Sequence, residues 1–139
     1  MRSHWSTLIR LLADERNERI VVLEPAGLSL PAGVAAMDAI PDSLMLAALL
    51  ARASLVIAPD TGTLHLADLL GVPTIGLYGP TAPDACCLPN SQRRALCHAE
   101  MTCHPCHDAV CPERSCLRAL TPAEVVFAVQ DSLREAVPA

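Results

Sequence analysis

Two short apolar runs, Ser54-Leu-Val-Ile-Ala58 and Thr74-Ile-Gly-Leu-Tyr78, are separated by a segment with room for one helix and two turns. Both runs read as buried strands. Pro59 stops the first, a helix opens at Thr61 to Thr63 and runs to about Leu70, and Gly71 and Pro73 end it. A strand, a helix and a second strand in so short a stretch imply parallel strands joined by a crossover helix. That unit forces an α/β sheet on the chain, and it places the loops 59–63 and 79–84 at the carboxyl edge, where ligands of such sheets bind.

The remaining segments extend the same plan. Trp5, Leu8, Ile9, Leu11 and Leu12 recur at helical spacing, so residues 4–17 read as an amphipathic helix. Arg19-Ile-Val-Val-Leu-Glu24 reads as a strand ending at Pro25. Between Gly27 and Pro41, the residues Gly27, Pro31, Gly33 and Pro41 mark bends around one helical stretch. Leu44 to Arg52 is a helix with Asp42 or Ser43 as its cap. Residues 79–120 show little periodicity and hold all seven cysteines, with a Cys-rich loop over 97–118. Thr121-Pro-Ala-Glu124 is a capping box that opens a final helix over 122–136, with Val125, Val126, Val129 and Leu133 near one face. The expected fold is a Rossmann-like half-domain of three or four parallel strands, one domain over 1–139.

Composition narrows the function. A net charge of −5 gives no long-range attraction for nucleic acid or anionic lipid, so neither is expected as a partner. A phosphate site needs no basic face, because helix N-termini and backbone N–H groups bind phosphate locally. All ten basic residues are arginine, which excludes chemistry needing a lysine from this chain. The longest apolar run, Leu44 to Ala51, is far short of a membrane helix, and the start lacks the continuous apolar stretch of a signal peptide. A cytoplasmic setting is expected, where seven cysteines are free thiols or metal ligands rather than disulfides.

The candidate ligand site is the segment Asp60-Thr-Gly-Thr-Leu-His65. Gly62 allows a tight turn or the close approach of a ligand to the backbone. The N–H groups around Thr61 to Leu64 can cradle a phosphate, aided by the helix dipole and the hydroxyls of Thr61 and Thr63. Asp60 repels a phosphate, which suits it to sugar hydroxyls beside one. The plain alternative is an N-cap and a turn with no ligand. His65, in the first helical turn, either faces the cleft or is buried against the preceding loop.

Other residues divide in the same way. Cys103-x2-Cys106-x4-Cys111-x4-Cys116 can hold a structural Zn²⁺ or iron, with His98, His104 and His107 as spare ligands, or can be four unligated thiols. Cys86, Cys87 and Cys97 fall outside that spacing and are assigned to packing. Arg93-Arg94 either approaches a phosphate or an anionic acceptor, or forms a solvated loop. Tyr78 lines the cleft or packs, and Trp5 and Phe127 are core or domain-interface residues.

Asp60-Thr-Gly-Thr-Leu-His-Leu-Ala67, followed by Leu70-Gly-Val-Pro-Thr-Ile-Gly-Leu-Tyr-Gly-Pro-Thr-Ala-Pro83, resembles the signature of the glycosyltransferase family that contains the ADP-heptose:lipopolysaccharide heptosyltransferases. Weaker resemblance runs from Trp5 to about Leu133. It implies the two-domain GT-B arrangement, in which a C-terminal domain binds the nucleotide sugar and an N-terminal domain holds the acceptor and the catalytic aspartate. This chain resembles the C-terminal domain alone, so no catalytic residue is assigned to it and a separate acceptor-binding domain or subunit is the implied partner. By resemblance, Asp60 touches the donor sugar, Thr61, Gly62 and Thr63 bind its diphosphate, His65 shapes the site, and Gly79, Pro80 and Thr81 form the neighbouring loop. Transfer would be inverting, would need no cofactor, and would meet the inner membrane only through the acceptor. A nucleotide-sugar-binding module without transfer, or a metal-stabilised remnant, is the alternative.

Two departures from the family pattern stand out. Ile40-Pro-Asp-Ser-Leu-Met45 lacks the usual acidic residue and has Met45 near its place. After Pro83, Asp84-Ala-Cys-Cys-Leu-Pro89 replaces the usual aromatic and glycine-proline continuation. Similar cysteine stretches occur in many family members, which favours a structural use for them.

Overall fold

Residues 2–15, 19–85, 92–108 and 110–135 are described by a computed structural model of the chain. The elements follow in the order α1 (Arg2–Glu15), β1 (Val21–Leu23), β2 (Ala35–Met37), α2 (Ser43–Leu50), β3 (Val56–Pro59), α3 (Gly62–Leu69), β4 (Thr74–Leu77), a 3-10 turn at Pro83–Ala85, β5 (Arg93–Leu96), α4 (Ser115–Ala119) and α5 (Pro122–Glu135). The described strands pair in parallel, β1 with β2 and, in a second sheet, β3-β4-β5. The mixed α/β class expected from the crossover unit is the class observed.

β4 is central in its sheet and buried at all four positions. Its side chains alternate between two apolar layers. Ile75 and Leu77 face Leu8 and Leu12 of α1 and Val125, Val126 and Val129 of α5. Tyr78, on the opposite side, packs with Val56 and Ala58 of β3, Leu50 of α2, and Leu64 and Ala67 of α3. Helices therefore cover both faces, as a parallel sheet requires.

The helix ends behave as their sequences dictate. Asp42 caps α2 by accepting the Met45 N–H at 2.8 Å. Thr121 and Glu124 form the reciprocal capping box of α5, with Thr121 N–H donating to Glu124 at 2.7 Å and Glu124 N–H donating to Thr121 Oγ1 at 3.2 Å. Gly71 takes a φ of +74° just past α3, a left-handed C′ position that glycine accepts without strain.

Three expectations need correction. The helical stretch foreseen between Gly27 and Pro41 is the strand β2, because backbone pairing with β1 outweighs the helix preference of Ala35 and Ala36. Arg93-Arg94 is not a solvated loop but the start of β5, paired with Thr74 and Ile75 of β4. Phe127 is 67% exposed and so lies outside this chain's core, whereas Trp5 packs against the first apolar layer. No described helix is long and apolar enough to cross a membrane.

Candidate functional site

The register sets Pro59 beside Leu77 and Leu77 beside Leu96, so all three strands of the second sheet end on one edge. Residues 60–63, 78–81 and 97 onward leave from that edge.

At the first loop, Asp60 N–H extends the ladder by donating to Leu77 O at 3.2 Å. Thr61 is extended, with φ −146° and ψ 167°, and occupies the N-cap position of α3 without capping it. Its hydroxyl donates instead to Pro59 O at 3.2 Å. The first helical hydrogen bond runs from His65 N–H to Thr61 O, which leaves the amides of Gly62, Thr63 and Leu64 without a side-chain cap. Thr61 and Gly62 are exposed and Thr63 is half-buried. Gly62 has no positive φ, so the turn does not demand glycine. A side chain built on Gly62 would meet nothing within 4 Å, so the space beside this first-turn residue is open. Of the two roles foreseen for Gly62, room for a ligand is the one this geometry fits.

The Asp60 carboxylate is held from both sides. Oδ1 lies 2.8 Å from Nε2 of His65, and Oδ2 accepts from Thr81 Oγ1 at 2.6 Å. The Asp60 side chain keeps 16% exposure and that of His65 34%. His65 is thus bonded to the preceding loop at Asp60 and keeps part of its ring exposed. Thr81 arrives from the loop after β4, so the two halves of the expected site meet at Asp60. A carboxylate offers about four acceptor positions, and the two used here leave capacity for ligand hydroxyls.

Behind His65 lies a network the sequence did not reveal. The Arg93 side chain is fully buried and pairs with Asp68 Oδ2 at 2.5 Å, the Asp68 side chain being 1% exposed. Its Nη1 donates to Tyr78 OH at 2.6 Å, and its Nη2 lies 3.3 Å from Nδ1 of His65. A guanidinium has only donors, so Nδ1 accepts and Nε2 carries the proton that faces Asp60. Tyr78 can lie against its own strand because Gly76 has no side chain: a Cβ there would stand 2.6 Å from the Tyr78 ring and 2.9 Å from Leu64. One sequence signal did point this way. Asp68 is a lone carboxylate within Leu-Ala-Asp-Leu-Leu on a helix, and a buried carboxylate requires a cation.

The second loop is braced from outside. Gly79 is buried under Leu117 of α4, where a Cβ would come within 2.5 Å of the Leu117 Cγ. Pro80 O accepts from the N–H groups of Cys106 at 3.0 Å and His107 at 2.9 Å, and His104 Nε2 donates to Thr81 O at 3.2 Å. The Cys-rich segment therefore packs on the 79–81 loop by its backbone and His104.

The cysteines themselves are dispersed in exposure. Cys103 and Cys106 are exposed, Cys111 is half-buried and Cys116 is buried. Among the described residues, no three Cys, His, Asp or Glu side chains are set to hold a metal ion. Cys97 packs against the second apolar layer, while Cys86 and Cys87 lie outside the described residues. His98 hydrogen-bonds Glu100 at 2.7 Å, and that bond raises its pKa above the ordinary histidine value. Hydrogen bonds from Thr121 hold the Glu124 carboxyl below its usual range. A small cavity between α1, β4, α4 and α5, lined by Trp5, Leu8, Leu77, Leu117 and Val125, measures about 30 Å³, too little for a sugar nucleotide.

Comparison with known proteins agrees with this layout. The family model of glycosyltransferase family 9 (heptosyltransferase) matches residues 43–117, from the start of α2 into α4. Lipooligosaccharide heptosyltransferase 2 of Campylobacter jejuni serotype O:2 is 28% identical over 87 residues, covering 61% of this chain and 27% of that protein. Its counterpart in serotype O:6 is 28% identical over 79 residues, 55% of this chain and 25% of the relative. The chain thus matches only about a quarter of the length of these curated relatives. The solved structure of Escherichia coli ADP-heptose lps heptosyltransferase II superposes with a TM-score of 0.73 at 22% identity, over 99% of this chain and 43% of that one. The fold is therefore shared with that enzyme along nearly the whole of the present chain. With more than half of its residues inside the family match, the chain belongs to glycosyltransferase family 9, the heptosyltransferase family.

Proposed function

We propose that this chain is the donor-binding half of a GT-B glycosyltransferase. It would hold a nucleotide-diphospho-sugar of the ADP-heptose type for transfer to a lipopolysaccharide core or similar glycan. The observation that carries the reading is the pairing of two opposite features a few residues apart. An uncapped helix N-terminus with open space over Gly62 suits a diphosphate, and a carboxylate pinned by His65 and Thr81 suits the hydroxyls of the attached sugar.

In this reading the amides of Gly62, Thr63 and Leu64 and the hydroxyls of Thr61 and Thr63 take the diphosphate. Their dipoles are fixed before the ligand arrives, so they can stabilise the charge that grows on the leaving group as the bond to the sugar C1 breaks. Asp60 sets the sugar's orientation, which favours attack from the opposite face and inversion at C1. The residue that deprotonates the acceptor comes from an acceptor-binding domain, joined in the same chain or docked as a separate subunit.

Calorimetric titration of the purified chain with ADP-heptose and with ADP tests this, repeated with Asp60→Ala. Saturable binding of both ligands is expected, with the sugar nucleotide weakened by the substitution. No heat from either ligand in a folded chain would sink the donor-site reading.

A further inference from the structure

We propose that Arg93 is a positioning residue for the Asp60 site, acting through His65. The proposal rests on the reading of Asp60 as the group that meets the donor sugar.

The geometry is that of one buried fork that reaches Tyr78, Asp68 and His65 together. Nη1 serves the Tyr78 hydroxyl, while Nη2 serves both Asp68 Oδ2 and His65 Nδ1. Neutralising Asp68 would need only a cation, and a lysine ammonium would supply one. Reaching a phenol just past β4, a carboxylate on α3 and an imidazole one turn earlier on α3 needs a planar group with several donors in fixed directions.

His65 is the step between Arg93 and the cleft. Its two ring nitrogens are tethered separately, Nδ1 by Arg93 and Nε2 by Asp60. A ring flip would turn a C–H toward each partner and lose both contacts, so the pair of tethers fixes the ring plane and the tautomer together. Asp60 then has a donor on Oδ1 whose direction does not wander, opposite the Thr81 hydroxyl on Oδ2. The carboxylate is left with one orientation. A sugar bound to it would feel any loosening of Arg93, whereas a diphosphate at the amides of α3 would not.

That difference supplies the test. Arg93→Met alone strands Asp68 in the interior, so two other variants are used: Arg93→Lys, and Arg93→Met combined with Asp68→Leu, which replaces the buried ion pair by apolar groups. Folding is checked by thermal unfolding. Nitrogen-15 spectra of the histidine rings are then recorded, with His65 identified by its loss in His65→Gln, alongside calorimetric titration with ADP-heptose and with ADP. The native ring should show a protonated Nε2 and a bare Nδ1, and both variants should show exchange between tautomers. ADP-heptose affinity should fall about tenfold, as expected for one weakened charge-assisted contact, while ADP affinity stays within about twofold.

An unchanged His65 spectrum in a folded variant, or equal loss for both ligands, would overturn the assignment. So would unfolding of both variants, which would make Arg93 a folding element only. If the native chain binds neither ligand, the donor-site reading fails on its own, and the ring spectra still decide whether Arg93 orients His65.

Discussion

Gly62→Ala separates the fold from the site more cleanly than any substitution of a side chain that already makes contacts. The added methyl meets nothing within 4 Å and the backbone there has no positive φ, so the native state accepts it without strain. Removing a glycine also lowers the entropy of the unfolded chain, a gain of about 0.4–1 kcal/mol where the conformation is compatible. For a domain of this size that raises the melting temperature by roughly 1–4 °C. In the donor-site reading, the same methyl would stand in space that the bound diphosphate needs. A diphosphate oxygen kept from one of them forfeits a charge-assisted hydrogen bond of about 1.5–3 kcal/mol, or roughly a 10- to 100-fold loss of affinity. Thermal unfolding and calorimetric titration with ADP, run on the same preparation, read both quantities. A variant that is as stable as the native chain or more so, and that binds ADP poorly, is the expected result. Native affinity for ADP in a folded variant would refute the amide cradle, and a lowered melting temperature would refute the claim that the space is empty.

Gly79→Ala should behave in the opposite sense, since its Cβ would press on Leu117, and a loss of about 1–3 kcal/mol in denaturant unfolding is expected. Asp68→Ala leaves the Arg93 guanidinium buried without its carboxylate and should cost about 3–5 kcal/mol, measured the same way. Thr121→Ala removes half of the capping box of α5 and should cost about 1 kcal/mol. The His98 pKa is raised in the folded chain, so its contribution to stability is full below the ordinary value of 6.5 and is lost as the pH rises through the folded value. Unfolding followed across that window should decline less with pH in His98→Gln than in the native chain.

How far the sequence could be read depended on whether a residue's role was local. The crossover unit β3-α3-β4, the cap at Asp42, the capping box at Thr121 and the loop containing Asp60 are all encoded within a few residues of where they act, and each was legible. β2 and β5 were not. Val34-Ala-Ala-Met37 carries no strand signature, and its conformation comes from β1. Arg93-Arg94-Ala-Leu reads as polar surface until β4 supplies a pairing partner and Asp68 and Tyr78 supply acceptors. Arg94, beside it, is drawn instead to Asp131 and Glu135 of α5. Two identical neighbours thus end in opposite environments because strand geometry points them to opposite faces. The resemblance to the heptosyltransferases identified the Asp60 and Gly79-Pro-Thr81 loops but was silent on Arg93, which meets Tyr78, Asp68 and His65 across 15 to 28 residues of chain.

The buried fork of Arg93 also ties the order of assembly to the appearance of the site. Its partners sit on α3 and at the end of β4, while Arg93 itself belongs to the last strand to join the sheet in chain order. A partly collapsed chain with β3, α3 and β4 in place but β5 undocked would already have the Asp60 turn and the uncapped helix. It would lack the tether on His65 Nδ1 and would carry Asp68 without its cation. Such a species would be poorly stable and poorly oriented at once. Affinity for the sugar nucleotide would therefore rise in step with completion of the sheet, and ligand added during refolding would select chains whose third strand has closed.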